Sequence, residues 1–410
     1  MTTMTETSST EWYSHVSGLI KRRPQLNVYT SVDYAGVLAK ESVYAFTYDV
    51  NAQSNKAREV SLGLPFRTRS YASGDLFGVF SMNEPEGYLR LYIEDAMSRA
   101  GIPNKLLFLA LSQGLQVGRV SYEHPELDLA PPSPETIEQL LHEQDQSYFG
   151  RLMAKYALRS SLSGAQPKII VPTHVTTERT NKTSLLTPSV IVKEAGKEFP
   201  GLSLNEYFCM SVAREANLNV PRFWLSDDAT RFIVERFDRD PSGKPLGFED
   251  MAVLAGLNAS QKYLGSYESI MRIVNTYCAN EAANQAMFER IALSALLKDG
   301  DAHLKNFGLV YEDPGSAILP SPVYDVVCTA IYPDLDRELA LKMNKTHTFP
   351  STDNLIKFAE KFGVQQEFAC EATNRIERAI DLVSEQLSQD TRFKKDPNKT
   401  LTRILTILRP

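Results

Sequence analysis

The chain has 410 residues, 43% hydrophobic and 23% charged, with a formal net charge of −6. That length allows two or three domains with cores of their own, and the charge provides no global basic field to draw nucleic acid directly. No apolar run is long enough to span a bilayer, and the polar start MTTMTETSSTEWYSH lacks the apolar stretch of a secretory signal, so a cytoplasmic chain with no membrane contact is expected.

From Leu26 to about Glu123 the pattern is short and strand-like. LNVYTSVDYAGVLA (26–39) alternates apolar and polar residues with a break near Gly36, and SVYAFTYDV (42–50) resumes the alternation as in a half-buried hairpin. SLGLPF (61–66) and the segment 115–122 are further strand candidates, while GYLRLYIEDAMSRAG (87–101) reads as a helix ending at Gly101. Ala130-Pro131-Pro132-Ser133-Pro134 is a breaker and a linker candidate, followed by a helix over 135–142. Strands are predicted at 168–171 and 189–193, and a helix begins at Leu202 with Ser203 as N-cap and stops before Pro221. RFIVERFDRD (231–240) reads as a strand with a charged exit. Two helices fit within 266–300, and the tail 353–408 is mostly helical.

The resulting division is an extension (1–25), a small α+β unit (26–130), a strand-rich lobe (135–247) and a helical lobe (248–410). Cys209, Cys278, Cys328 and Cys370 lie far apart without metal-ligand spacing, and the six histidines do not gather around them. Reduced thiols are expected, not a zinc site. The basic run Arg392, Lys394, Lys395, Lys399 and Arg403 reads as a solvated tail and helix.

Transfer of a γ-phosphoryl group needs a held triphosphate, a lysine and Mg²⁺ to neutralise it, and a carboxylate to orient the attacking hydroxyl. Asp301 and Asn306 have the offset of a kinase catalytic loop, and Asp325 follows in SPVYDVV, which looks strand-like beside FGLVY. Oxygen ligands from Asn306 and Asp325 suit Mg²⁺. Asp299 is at the wrong distance from Asn306. Upstream, Lys193 ends an apolar strand and Glu206 lies on the next helix, the arrangement that orients a phosphate-binding lysine in kinases. The turn 160–166 offers small residues and free amides to phosphate oxygens. Singly, these are a surface loop, a strand-end lysine, a solvated helix face and a hairpin turn. Their order along one chain makes an ATP- and Mg²⁺-dependent phosphotransferase of bilobal α+β architecture the stronger reading.

The segments SLSGAQPK (161–168), NEYFCMSVARE (205–215), VERFDR (234–239), DGDAHLKNFGL (299–309) and VYDVV (323–327) resemble the HipA family of bacterial Ser/Thr kinase toxins. A looser likeness in LNVYTSVDYAGVL and NEPEGYLR extends to that family's small N-terminal domain. The resemblance implies a protein-kinase-like fold with Asp301 as catalytic carboxylate and Asn306 and Asp325 on Mg²⁺. It also implies an ATP site of Lys193, the loop Ser163, Gly164, Ala165, Gln166, Pro167 and Lys168, the hinge Glu235, Arg236 and Phe237, and His303, Leu304, Lys305 and Tyr324. Family members phosphorylate a serine in their own phosphate-binding loop, which ejects the loop and silences the kinase; Ser161 matches, with Ser163 as second candidate. Pro167 departs from the acidic residue of many relatives. By the same resemblance the acceptor is a protein, an aminoacyl-tRNA synthetase in well-known members, and the partner is a small HipB-like DNA-binding antitoxin, so DNA is reached only through it. An antibiotic-type small-molecule phosphotransferase and a non-catalytic kinase-like binding module are the alternatives.

Overall fold

A computed structural model describes residues 18, 20–51, 55–97, 104–127, 132–162, 164, 166–174, 189–335 and 337–409. The first sheet, in the order β4-β3-β2-β1-β5, is antiparallel: β1 Gln25–Tyr29, β2 Tyr34–Lys40, β3 Tyr44–Tyr48, β4 Tyr71–Ser73 and β5 Ser121–Glu123. Alternating side chains of β1 and β3 enter the core, as the period-2 pattern requires. β2 runs unbroken through Gly36. The glycine is there for room, because a Cβ would lie 2.1 Å from the Thr47 carbonyl oxygen.

SLGLPF forms no strand. Its polar groups are taken from outside: the Ser61 hydroxyl and the Leu62 amide donate to Glu249 at 2.7 and 2.8 Å, and the Leu64 carbonyl accepts from Tyr48. Of the 115–122 segment only β5 is extended. Two helices cover this sheet, α1 Gly87–Ala96 and α2 Lys105–Leu111. In α2, Leu106 through Leu111 are all buried, so KLLFLAL has no polar face and no helical periodicity to reveal it. The end of the helix predicted over 87–101 and the start of the 130–134 linker lie outside the described residues.

A second sheet, β6-β7-β8-β10-β9, comprises β6 Glu135–Thr136, β7 Lys168–His174, β8 Ser189–Glu194, β9 Phe223–Leu225 and β10 Arg231–Glu235. Between β6 and β7 come α3 Ile137–His142, opened by a Thr136/Gln139 capping box, and α4 Tyr148–Tyr156. α5 Leu202–Glu215 packs on β9 and β10. Its N-cap is Gly201 at φ +76, not Ser203, whose buried hydroxyl donates to the Thr230 carbonyl at 2.8 Å.

Ile233 of β10 points into one core with β7, β8 and the whole N-terminal unit, while Phe232 and Val234 point into the other with α5 and the helical lobe. One strand's alternation therefore joins two cores, and the first crosses from the N-terminal unit into the second sheet. The helical lobe is built from α6 Tyr267–Tyr277, α7 Glu281–Leu296, α8 Thr352–Glu360, α9 Gln366–Gln389 and α10 Thr400–Leu408. At its entrance β11 Gly247–Asp250, β12 Gly308–Tyr311 and β13 Ile318–Pro320 form a small antiparallel sheet. SPVYDVV is not a strand; Asp325 sits in the left-handed region at φ +54. Among the described residues the cysteines are unpaired, and no helix is long and apolar enough to cross a membrane.

Candidate active site

A cleft of ≈ 560 Å³ runs between the strand-rich and helical lobes. Its polar end begins on β7 and β8, where Lys168 and Lys193 stand opposite each other in register. The first turn of α5 brings Glu206 beneath them. Lys193 Nζ lies 2.5 Å from Glu206 Oε1 and 2.7 Å from Asp325 Oδ1, and Lys168 Nζ is 3.7 Å from Asp325 Oδ2. Lys193 and Glu206 are 4% and 1% exposed, so these charges interact with little screening.

Burial opposes the Lys193 ammonium, but Asp325 and Glu206 outweigh it and hold the group charged well above the usual range. Burial likewise works against the Asp325 carboxylate, and Lys168 and Lys193 overcome it, so Asp325 stays ionised far below the usual range. For Glu206 burial prevails over Lys193 and pushes the carboxyl up; for Lys168 burial pulls the ammonium down. Glu206 Oε2 has no hydrogen-bond partner among the described residues.

α7 ends at Leu296, and Lys298 just beyond it, in a left-handed conformation at φ +57, turns the chain into the catalytic-loop segment. Buried Asp299 accepts from the Asp301 amide at 3.2 Å. Asp301 itself is exposed at the cleft lip, its Oδ1 accepting from the Tyr263 hydroxyl at 2.6 Å. The surrounding protein withdraws enough water to push its carboxyl up, against the pull of Tyr263. Leu304–Asn306 is one 3₁₀ turn, closed by Asn306 Oδ1 accepting from the His303 amide at 3.1 Å. Asn306 Nδ2 stands 3.4 Å from both the carbonyl oxygen and Oδ2 of Asp325. His303 is kept neutral, its pKa lowered to about 3 chiefly by burial.

The other end is aromatic. The Phe237 ring meets Tyr324 at 5.1 Å and Phe248 at 5.2 Å between centroids, so the three rings pack on one another as an aromatic wall of the cleft. The side chains of its neighbours turn elsewhere: Glu235 pairs with Arg222 at 2.7 Å, and Arg236 with Asp238 at 2.6 Å. The amides of Glu235 and Arg236 already donate to Arg222 and Ser189 carbonyls at 2.8 and 3.3 Å. Leu304 packs in the helical core instead of lining the cleft.

In the glycine-containing turn, Gly164 has φ +129, and a Cβ there would lie 2.7 Å from Lys168 Nζ, so the bare backbone leaves the lysine its space. Gln166 donates to the Glu194 carbonyl at 3.3 Å, and the Pro167 carbonyl accepts from the Glu194 amide at 3.0 Å. Ser161 is 1% exposed and donates to Asn83 Oδ1 at 3.0 Å. Ser163 and Ala165 lie outside the described residues.

Several neighbours escaped the sequence reading. Glu86 of the N-terminal unit accepts from Lys305 at 2.7 Å, and its amide donates to the Leu162 carbonyl at 3.2 Å. Arg290 of α7 reaches the Tyr324 carbonyl at 3.1 Å, and Tyr324 in turn donates to the Lys305 carbonyl at 2.7 Å. No sequence spacing announces such contacts. Asp299 had a signal, its place two residues before Asp301.

Among the described residues no group of three or more His, Cys, Asp or Glu could hold a metal. The Asp325 carboxylate offers an oxygen suited to Mg²⁺, whose shell phosphate oxygens and water would fill; Asn306 would add a second through Oδ1, which as placed accepts from the His303 amide while Nδ2 faces Asp325.

The chain is similar to known proteins over most of its length. A family model described as "HipA-like C-terminal domain" matches residues 160–386, and one described as "HipA N-terminal domain" matches 26–123. A Sinorhizobium fredii protein named "Putative kinase Y4dM" is 31% identical over 327 residues, 73% of this chain and 74% of its own. The "Serine/threonine-protein kinase toxin HipA" of Shewanella oneidensis is 25% identical over 284 residues, 62% of this chain and 63% of its own. A solved complex of Shewanella oneidensis HipA with HipB and operator DNA superposes on the chain with a TM-score of 0.63 at 16% identity, covering 93% of this chain and 97% of that one. The fold is the bilobal, protein-kinase-like α+β architecture.

Proposed function

We propose that this chain, which belongs to the HipA family, is an ATP-dependent Ser/Thr protein kinase of toxin type. The observation that carries the reading is the convergence of Lys193, Glu206 and Asp325 at the floor of a cleft whose lip bears Asp301. The adenine lies against the aromatic wall of Phe237, Phe248 and Tyr324. Lys193, aligned by Glu206, and Lys168 take the phosphate oxygens. Mg²⁺ on Asp325 and Asn306 would supply neutralisation of the triphosphate's charge. Asp301 accepts the proton of the attacking hydroxyl as the new P–O ester bond forms and the bond from the γ-phosphorus to ADP breaks.

The exposed position of Asp301 supports a macromolecular acceptor over a small molecule. From the relatives we infer a cytoplasmic protein substrate, of the aminoacyl-tRNA synthetase kind, and a HipB-like antitoxin through which DNA is reached. The division into 26–130, 135–247 and 248–410 belongs to the same proposal. Ser161 is the proposed self-phosphorylation site. A phosphate there would place up to two negative charges where the hydroxyl is now buried on Asn83, which expels the loop. Labelled ATP with Mg²⁺ tests this: wild type should label itself, Asp301→Asn should not, and Ser161→Ala should lose most label while still binding ATP. Equal labelling of all three would sink it. Phosphoproteomics after induction of wild type and Asp301→Asn identifies the acceptor.

A further inference from the structure

Asp301 accepts a hydrogen bond from a side chain that lies far from the catalytic-loop segment in sequence. The Tyr263 hydroxyl donates to Oδ1 at 2.6 Å; among the described residues Oδ2 has no hydrogen-bond partner. Resting on the kinase reading above, we propose that Tyr263 is a positioning residue: it fixes the Asp301 carboxylate by one oxygen so that the other meets the acceptor hydroxyl.

Three features carry this. First, the tyrosine is placed without help from its hydroxyl. The Leu304 amide donates to the Lys262 carbonyl at 3.1 Å, and Tyr267 donates to the Ala302 carbonyl at 3.1 Å, so the 262–267 segment is tied to the catalytic loop at two residues just after Asp301. Second, the ring stands edge-on to His303 at 5.1 Å and 81°, which fixes the direction in which the hydroxyl points. Third, Tyr263 is 47% exposed beside Leu264 at 54% and lines the cleft together with Asp301, so the contact stands at the open lip.

A carboxylate at a water-exposed lip rotates between equivalent settings, and an anchored oxygen removes that freedom before the acceptor binds. The charged groups facing Asp301 are Lys262 on the same segment as Tyr263, Lys168 from β7, Asp325 across the cleft and Asp299 two residues before it. Burial raises the carboxyl and the Tyr263 hydrogen bond lowers it. Removing the hydroxyl alone therefore moves the carboxyl upward. A base that must be ionised then loses activity from a higher pH.

The test compares wild type, Tyr263→Phe and Asp301→Asn in self-labelling from γ-labelled ATP across pH, with ¹³Cγ-aspartate NMR titration of Asp301. Tyr263→Phe keeps the ring and its backbone ties, so its denaturation midpoint should match wild type. The expected result is transfer slower by about tenfold or more, an unchanged half-saturating ATP concentration, and an acidic limb displaced to higher pH. Wild-type rate and limb in Tyr263→Phe would overturn the positioning role while leaving the kinase reading intact. If wild type transfers nothing, the kinase reading fails; the titration then decides the contact. A raised Asp301 titration in Tyr263→Phe sustains it, and an unchanged one removes it.

Discussion

Two buried ion clusters border the same cleft and are built to opposite standards. At the hinge, Asp238 receives Arg236 through both oxygens at 2.9 and 2.6 Å, Arg239 at 3.0 Å and the Gly118 amide at 2.7 Å. The arginines spend their remaining donors on Gln116 and Gly118 carbonyls, so the cluster latches the N-terminal unit onto the hinge. At the phosphate end two lysines share Asp325, whose side chain is 33% exposed, and Glu206 keeps an unpartnered oxygen at 1% exposure. A saturated cluster holds a structure together; at the phosphate end Lys193 donates only twice among the described residues and Lys168 reaches Asp325 only at 3.7 Å, so lysine N–H groups are left for ligand oxygens. Each cluster can be broken separately.

The largest effect is expected at the unsaturated one. Asp325→Asn should slow phosphoryl transfer by about a thousandfold or more, about 4 kcal/mol of barrier, because metal and lysine alignment are lost together. Its stability loss should stay below that of Asp238→Ala, since Asp325 is partly open to water and Lys193 retains Glu206. Rate and denaturation midpoint, measured on the same preparation, check both halves.

Breaking the latch should do the reverse. Asp238→Ala strands two buried arginines and should cost about 3–5 kcal/mol of stability, read by chemical denaturation, with ATP affinity falling only as far as the hinge loosens. The latch also sets an acid limit. Burial pulls the Asp238 carboxyl upward, but Arg236 and Arg239 prevail and bring its pKa to about 2. Unfolded, the same carboxyl takes its proton near 3.8. The unfolded chain thus binds the proton first as pH falls, and the contribution present above about pH 4 is lost down to about pH 2, about 2 kcal/mol in all. Asp238→Asn should flatten the acid limb of the stability curve; an unchanged slope would show that other carboxylates set it.

What the sequence disclosed follows the same division. Lys193, Glu206, Asp301, Asn306 and Asp325 were legible because each sits at a fixed offset from a strand end, helix start or turn, and local geometry turns offset into direction. The strands with clean alternation were legible too. α2 was not, since a helix buried on every side shows no period. SPVYDVV misled because its apolar alternation comes from packing around a left-handed Asp325, which propensity does not encode. The Glu86–Lys305 pair, 219 residues apart, depends on how separate units dock, and the Tyr263–Asp301 contact, 38 apart, on packing within the helical lobe. The hinge was legible as a strand end, yet its side chains serve the latch.

The smallest and sharpest contrast is Glu206→Gln. Burial already pushes this carboxyl upward, and half of it is unpartnered, so its ionised form is held at a cost that Lys193, and to a smaller extent Lys168, offsets. Glutamine keeps the shape and an oxygen for Lys193 while removing the buried charge. Lys193 keeps Asp325 as counter-ion at 2.7 Å, but without nucleotide it is drawn toward that partner alone. Stability should therefore hold or rise slightly, while transfer falls about tenfold, about 1.4 kcal/mol of barrier. A variant that is at once steadier and slower would mark Glu206 as a residue kept for alignment of the lysine and not for the fold. If denaturation instead shows a loss comparable to that of Asp238→Ala, the two clusters are alike, and the phosphate end is as structural as the latch.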